Sequence, residues 1–205
     1  MSTSFSFPQV SKVVDTLEEK GVTPEILQNS VLGKGLLADL AEAVVRGTVP
    51  EREAFRKFLG LLSVVYQLIV DYTMSLSGMV AAGKYDWVNE NITDANFPKT
   101  TNNTVSVDVE LLHFGRNISS EIALSEMKKK GFRPATIWEL LDFGAKYPEI
   151  QKQFPVIALG SFCVLNDNRH VPFLSWNSSE RHLNLDWFDS GWLVYCRFLV
   201  VRNEN

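Results

Sequence analysis

The sequence has 205 residues and a formal net charge of -4 at neutral pH, which fits one large domain or a compact domain preceded by helices. Hydrophobic residues make up 45% and charged residues 21%, an ordinary composition for a globular protein. The one basic run, residues 128–130, lies at a predicted helix end, where it complements the helix dipole. A nucleic-acid-binding surface is therefore not expected.

Two segments bear on the relation of the chain to membranes. Residues 1–8 lack the basic and apolar stretches of a secretory signal peptide, so we expect none. Residues 59–82 are apolar enough to suggest a transmembrane helix, but Gln67 and Asp71 interrupt the stretch and glycines punctuate it. We therefore expect no membrane span.

The first sixty residues are predicted to be helical. Helices are expected over residues 10–20, from the N-cap Thr23 and Pro24 at the first helical position, over residues 32–45, and from Pro50 onward. The sequence thus predicts a short N-terminal helical region over residues 1–64.

The middle of the chain mixes strands and helices. Strands are predicted over residues 69–72 and 105–111, with a helix over 75–82 and a polar loop over 85–104 between them. Two helices follow. Ser119 or Ser120 caps the first, which ends at Gly131, and Thr136 and Glu139 form a capping box that opens the second.

The C-terminal third is predicted to contain short strands and turns. The candidate strands are residues 156–162, 171–176, 182–188 and 196–201, with turns at 166–168 and 177–179. Helices in the middle and strands at the end indicate an α+β fold.

One predicted strand alternates strictly. Leu183, Leu185 and Trp187 are expected in the core, while His182, Asn184 and Asp186 point to the opposite side. That opposite side is either a plain solvated face or a binding surface, and the alternation alone fits both. Trp192 is also expected in the core.

Residue usage changes near residue 153. Lys, Gln and Met are absent beyond Gln153, and Glu occurs there only at Glu180 and Glu204. Codons that end in C cannot encode Lys, Glu, Gln, Met or Trp. Such codons, with random first and second bases, do encode the His, Asn, Asp, Ser, Leu, Val and Tyr residues found here at exposed-looking positions, so a genetic mechanism of that kind would produce this usage.

An ordered series of short segments between residues 66 and 202 resembles the variable proteins of diversity-generating retroelements, especially those of archaeal viruses and of small uncultivated prokaryotes. The matching segments are IVDY (69–72), MVAAGKYDW (79–87), LHF (112–114), ISSE (118–121), GFRPAT (131–136), ELL (139–141), FGA (143–145), YP (147–148), FP (154–155), ALGS (158–161), VP (171–172), SER (179–181), WF (187–188) and RFLVVR (197–202), with Leu183, Leu185 and Trp192.

The resemblance implies a C-type-lectin-like fold for residues 65–205, with a variable region at about residues 158–202. It implies that a reverse transcriptase rewrites template adenines, so that AAC codons diversify around fixed Leu, Trp, Phe and Arg positions. The implied ligand-binding positions are Phe162, Cys163, Asn166, Asn168, His170, Phe173, Ser175, Asn177, His182, Asn184, Asp186, Ser190, Gly191, Leu193, Val194 and Tyr195.

The resemblance further implies a binding protein and not an enzyme, whose ligand is a protein or another cell-surface molecule. The protein is expected to be cytoplasmic or virion-associated and to need no cofactor or metal. Its two cysteines are too few for a disulfide framework or a zinc site, and its three histidines lack metal-ligand spacing. Phosphate-loop and dinucleotide motifs are also absent from the sequence.

Two alternatives stay open. A formylglycine-generating type of enzyme shares a related fold and would need Cys163 and Cys196 to act as a reactive pair. A calcium-dependent sugar-binding lectin would need Trp-Asn-Asp and a loop like Glu-Pro-Asn, but here Ser178 follows Trp176 and Asn177 and no Glu-Pro-Asn occurs.

Overall fold

The computed structural model of the protein describes residues 7–49 and 64–203. The chain divides into two compact units, residues 1–62 and residues 63–205. Among the described residues, none of the helices combines the length and the apolar character needed to cross a bilayer.

The first unit is helical. Its elements are α1 (Phe7–Glu19), α2 (Pro24–Leu27), a π-helical segment (Gln28–Leu32) and α3 (Leu36–Arg46). The predicted start of α2 is confirmed, because Thr23 Oγ1 accepts a hydrogen bond from Ile26 N at 3.2 Å. The single helix predicted over residues 32–45 is wrong at its beginning, since Gly35 adopts a positive φ of 72° directly before α3. The helix predicted from Pro50 falls outside the described residues.

The second unit combines helices with one mixed sheet, which confirms the α+β class. Its helices are α4 (Leu76–Gly83), α5 (Ser120–Lys129) and α6 (Ile137–Lys146), with a 3-10 turn at Ile150–Lys152. Its strands are β1 (Val65–Asp71), β2 (Trp87–Val88), β3 (Thr104–Leu112), β4 (Phe132–Pro134), β5 (Val156–Ile157), β6 (Cys163–Leu165), β7 (Asn168–Asn177), β8 (Glu180–Trp187) and β9 (Arg197–Arg202).

The strands follow the order β1-β3-β9-β5-β7-β8-β2, with β4 paired to β9 and β6 paired to β7. The pairs β5–β9 and β2–β8 are parallel, and the remaining pairs are antiparallel. Strand β9 therefore lies in the middle of the sheet although it is the last strand in the described part of the chain.

Hydrophobic clusters cover both faces of the central strands. Leu199 and Val201 of β9 belong to a cluster with residues of α4 and α6, whereas Phe198 and Val200 belong to a second cluster with residues of α5. Because successive residues of a strand point to opposite faces, burial on both sides explains the uninterrupted apolar run from Phe198 to Val201 in β9.

Side chains of α6 satisfy the free edge of β1. Lys146 Nζ donates to Gln67 O at 2.6 Å, and Ile69 N donates to Asp142 Oδ2 at 3.2 Å. Unpaired backbone groups at a sheet edge can pair with another chain. These contacts occupy two of the backbone groups that such pairing would use.

Helix α6 begins as predicted. Thr136 Oγ1 accepts a hydrogen bond from Glu139 N, and the Glu139 carboxylate accepts one from Thr136 N at 2.7 Å, so the capping box is confirmed. Arg133 Nη2 also donates to Glu139 Oε1 at 2.6 Å. This buried carboxylate is thus fully engaged, as a charge in the interior must be.

Two tight turns connect the strands of the hairpins in the C-terminal third. Asn166 and Asp167 join β6 to β7 with positive φ values of 49° and 62°, the backbone of a type I′ hairpin turn. Ser178, with a φ of 53°, lies between β7 and β8. Both predicted turns are confirmed.

Two predictions for this unit are wrong in detail. The strand predicted over residues 156–162 is limited to β5, because the chain then leaves the sheet and Gly160 N donates to Ala135 O at 2.9 Å. The loop predicted over residues 85–104 contains β2, which pairs in parallel with β8. Two residues are too short to give a periodic signal.

Candidate ligand-binding surface

The predicted ligand-binding positions share one property, with a single exception. All of them except Cys163 are exposed or half-buried, although they alternate along the chain with fully buried residues such as Val171, Leu174 and Leu183. Most of the predicted positions fall into three groups on the surface.

The strand-face group consists of Phe173 and Ser175 on β7 and of His182 and Asn184 on β8. The antiparallel register pairs Phe173 with Asn184 and Ser175 with His182, so all four side chains leave the same face of the hairpin. Phe173 also packs against the cluster under α5, which makes it the least free member of the group.

Two residues outside the predicted set extend the strand-face group. The ring of Trp87 lies 5.5 Å from the ring of His182 between centroids, and Asn89 Nδ2 donates to Asn184 Oδ1 at 3.0 Å. Sequence reasoning missed both because they lie in a polar stretch without periodicity. The one available signal was the tryptophan itself, a large aromatic in a segment otherwise rich in Asn.

A groove of about 360 Å³ lies where β7 begins and β8 ends. Its volume is at the lower end of the range for small-ligand sites. The groove gathers four predicted positions with five further residues. The residues that line it are Asn166, Asn168, His170 and Asp186, together with Asn89, Asn91, Leu165, Leu185 and Trp187.

Trp187 corrects the expectation for β8. Leu183 and Leu185 are buried as predicted, but 56% of Trp187 is exposed. The strand ends at Trp187, and the ring of His170 packs edge-on against the indole, with 6.2 Å between the ring centroids. Trp187 thus belongs to the groove and not to the core.

An apolar loop, residues 193–195, forms the third group. Leu193, Val194 and Tyr195 are each between 44% and 54% exposed. Val194 N donates to Asn117 Oδ1 at 2.9 Å, and Val194 O lies 2.7 Å from His113 Nε2. Two side chains from outside the predicted set therefore fix the backbone of the loop.

Buried polar contacts support the chain between the groove and the apolar loop. Ser120 Oγ donates to Phe188 O at 2.6 Å, and Trp192 Nε1 donates to Ser120 Oγ at 2.8 Å. Trp192 is buried as predicted. Ser190 and Gly191, two more of the predicted positions, lie between these anchored residues.

The two cysteines lie in different environments. Cys163 is 4% exposed and belongs to the cluster under α4 and α6, so its predicted surface position is wrong. Cys196 is also buried but belongs to the cluster under α5. Burial raises the pKa of both thiols, which lowers the fraction of reactive thiolate.

Carboxylates and histidines do not converge as metal ligands in residues 7–49 and 64–203, where no three His, Cys, Asp or Glu side chains form such a group. Comparisons of the chain with known protein families, with characterised proteins and with solved structures gave no match.

Proposed function

We propose that residues 65–205 form a C-type-lectin-like ligand-binding domain and that the chain is the variable protein of a diversity-generating retroelement. In this proposal the protein is not an enzyme and uses no cofactor. It is cytoplasmic or virion-associated, and its diversified surface recognises a protein or another ligand on a cell surface.

One observation carries the proposal. The predicted variable positions other than Cys163 are exposed or half-buried, and polar side chains from outside the variable set hold the backbone at several of them. Asn117 and His113 bind the backbone of Val194, and Gln151 Nε2 donates to Ser175 O at 2.6 Å. At these positions the backbone is held by side chains that the proposed diversification leaves unchanged.

The energetics favour the same function. Substitutions at exposed positions usually change the free energy of unfolding by less than about 0.5 kcal/mol, whereas truncation of a buried Leu costs about 2–5 kcal/mol. A domain with a typical stability of about 5–15 kcal/mol therefore tolerates many simultaneous changes at the exposed positions. Few changes are tolerated at the buried residues between them.

Two combinatorial libraries test the proposal. The first randomises the exposed predicted positions, namely Phe162, Asn166, Asn168, Asn177, Asp186, Ser190, Leu193, Val194 and Tyr195. We expect most members to be soluble and to unfold cooperatively near the parental midpoint. Selection of this library on several unrelated proteins is expected to yield different binders for each.

The matched control library randomises buried residues of the same segment, namely Val171, Leu174, Leu183, Leu185, Phe188 and Phe198. We expect few of its members to fold. The proposal fails if both libraries lose folding equally, or if the first library folds but yields no specific binder.

The genetic half of the proposal has a separate test. The DNA beside the gene should contain a near-copy of the 3′ coding segment that differs at adenines, together with a reverse-transcriptase gene. A flanking sequence without either feature would contradict a retroelement origin. It would not change the interpretation of the two combinatorial libraries.

The two alternatives receive no support from the site. Cys163 and Cys196 lie in different hydrophobic clusters, which is unfavourable for a reactive pair. A calcium site of lectin type needs several convergent carboxylates, and in the described part of the chain Asp186 is the one carboxylate that lines the groove.

A further inference from the structure

One N–H of each of two carboxamides that line the groove is engaged within the protein. Asn91 Nδ2 donates to Asn89 Oδ1 at 3.2 Å, and Asn168 Nδ2 donates to Asn166 O at 2.7 Å. His170 Nδ1 lies 3.0 Å from Asn168 O. Because a carbonyl only accepts, Nδ1 carries the proton in this contact.

The acceptors of the same side chains remain open to the groove. Asn91 Oδ1, Asn168 Oδ1 and the second ring nitrogen of His170 receive no hydrogen bond from the residues that the structure describes. Asp186 Oδ1 accepts from Trp187 N at 2.7 Å, which leaves Asp186 Oδ2 available. Donors also remain without a partner in the described chain, namely both N–H groups of Asn166, the second N–H of Asn91 and of Asn168, and the indole N–H of Trp187.

The charge and shape of the groove further restrict the kind of ligand that fits it. Asp186 gives the groove a negative charge, and among the residues that the structure describes neither Lys nor Arg lines it. Trp187 presents an exposed indole beside these acceptors. A sugar hydroxyl both donates and accepts, whereas a guanidinium has five N–H donors and no acceptor. It also binds carboxylates bidentately and stacks on aromatic rings.

We propose that the groove binds the guanidinium of an arginine side chain presented by a protein partner. The guanidinium donates to Asp186 Oδ2 and to the open carboxamide oxygens while its plane stacks on Trp187. This inference rests on the proposed ligand-binding function and specifies the chemical group that the surface of this particular sequence recognises.

The test is an NMR titration of the full chain with N-acetyl-arginine amide. We expect a dissociation constant in the millimolar range, typical of a fragment of this size. The shifts should be concentrated at the Trp187 indole N–H and the Asn168 side-chain amide. The citrulline analogue has the same shape without the charge and should bind at least about tenfold more weakly. The lysine analogue, which lacks the planar fork, should also bind more weakly than arginine.

A pair of variants serves as matched test and control. Asp186→Asn retains the acceptor for Trp187 N but removes the charge, and should weaken arginine binding about tenfold. Asp189→Asn makes the same change of net charge nearby, at a residue that pairs with Arg169 at 2.9 Å and does not line the groove. It should leave arginine binding unchanged.

Several results would overturn the inference: no shifts with arginine, shifts away from the groove, equal binding of citrulline or lysine, or equal effects of the two variants. None of these would contradict the proposed display function, which the two libraries test by folding and by selection on other proteins. If the libraries fail to fold or to yield binders while the parental protein still binds arginine, the groove is a fixed binding site and not part of a diversified surface.

Discussion

The guanidinium of Arg181 lies over the ring of Tyr85, 4.9 Å from its centroid. Its Nη2 atom donates to Gly144 O at 2.6 Å, and its Nη1 atom donates to Gly83 O. A side chain of β8 thereby joins the ends of α4 and α6. Gly144 is required for this packing, since a β carbon there would overlap the hydroxyl of Tyr85.

Replacing Arg181 should destabilise the domain without touching the exposed surface. Arg181→Ala leaves two carbonyls and Gln151 without their donor, and we expect a loss of about 2–4 kcal/mol. Arg181→Lys should recover only part of this, because an ammonium lacks the planar fork. Urea denaturation measures both, and equal stability of the Ala variant and the parent would contradict the assigned role.

The two ends of β8 should respond differently to truncation. Leu183→Ala removes a fully buried side chain and should cost about 2–5 kcal/mol. Trp187→Ala removes a larger side chain that is mostly exposed and should cost about 1 kcal/mol or less. Thermal or urea denaturation measures the stability of both variants. A Trp187 variant as unstable as the Leu183 variant would show that Trp187 is part of the core.

The cysteines should react slowly in the folded protein. Since burial raises the pKa of both thiols, labelling by iodoacetamide at pH 8 should be slow until denaturant is added. Cys163→Ala should be tolerated better than Cys163→Ser, which buries a hydroxyl at a cost of about 1–3 kcal/mol. Rapid labelling of either native thiol would contradict the buried placement.

Asp142 should make stability depend on pH in a definite direction. Burial raises the pKa of its carboxyl, although the hydrogen bond from Ile69 N opposes the shift. The folded state therefore disfavours the charged carboxylate. This lowers the free energy of unfolding fully above the folded pKa of Asp142 and not at all below its unfolded pKa. Asp142→Asn should thus stabilise the domain at pH 7.

That gain should shrink as the pH falls from the folded pKa of Asp142 toward the lower unfolded pKa, because the wild-type carboxyl then becomes neutral as well. Urea denaturation of both proteins at several pH values measures the difference. A gain that grew on acidification would contradict the assigned direction of the shift.

Asn117 should control the order of the apolar loop. Asn117→Ala removes the acceptor of Val194 N, and we expect the exchange of this amide hydrogen to accelerate about tenfold or more. Amides in the centre of the sheet should keep their protection, which serves as the internal control. Unchanged exchange at Val194 would show that the loop is held by other contacts.

Local patterns in the sequence predicted local structure well. The caps at Thr23 and Thr136, the turn at Asn166 and the alternation of Leu183 and Leu185 all depend on neighbouring residues, so spacing alone reveals them. The α+β class follows from the same patterns. The C-type-lectin-like fold and the diversified surface are carried by the resemblance and remain predictions.

Features that depend on distant parts of the chain escaped prediction. Trp187 follows the apolar period of β8 but lies beyond the elements that bury its neighbours. Cys163 has a hairpin partner, His170, that faces the groove, while the cysteine packs inward. Asn89 and Asn91 reach the groove through β2, whose pairing with β8 spans almost a hundred residues. Sequence spacing does not encode such contacts.

The central position of β9 has a consequence for how this protein is produced. β9 pairs with β3, β4 and β5 and contributes to both hydrophobic clusters, so neither cluster can close until the ribosome has passed codon 202. A frameshift or premature stop anywhere upstream leaves both clusters open to water and to proteases. If the 3′ segment is rewritten as proposed, a changed chain can therefore display a new surface only when translation continues in frame through β9.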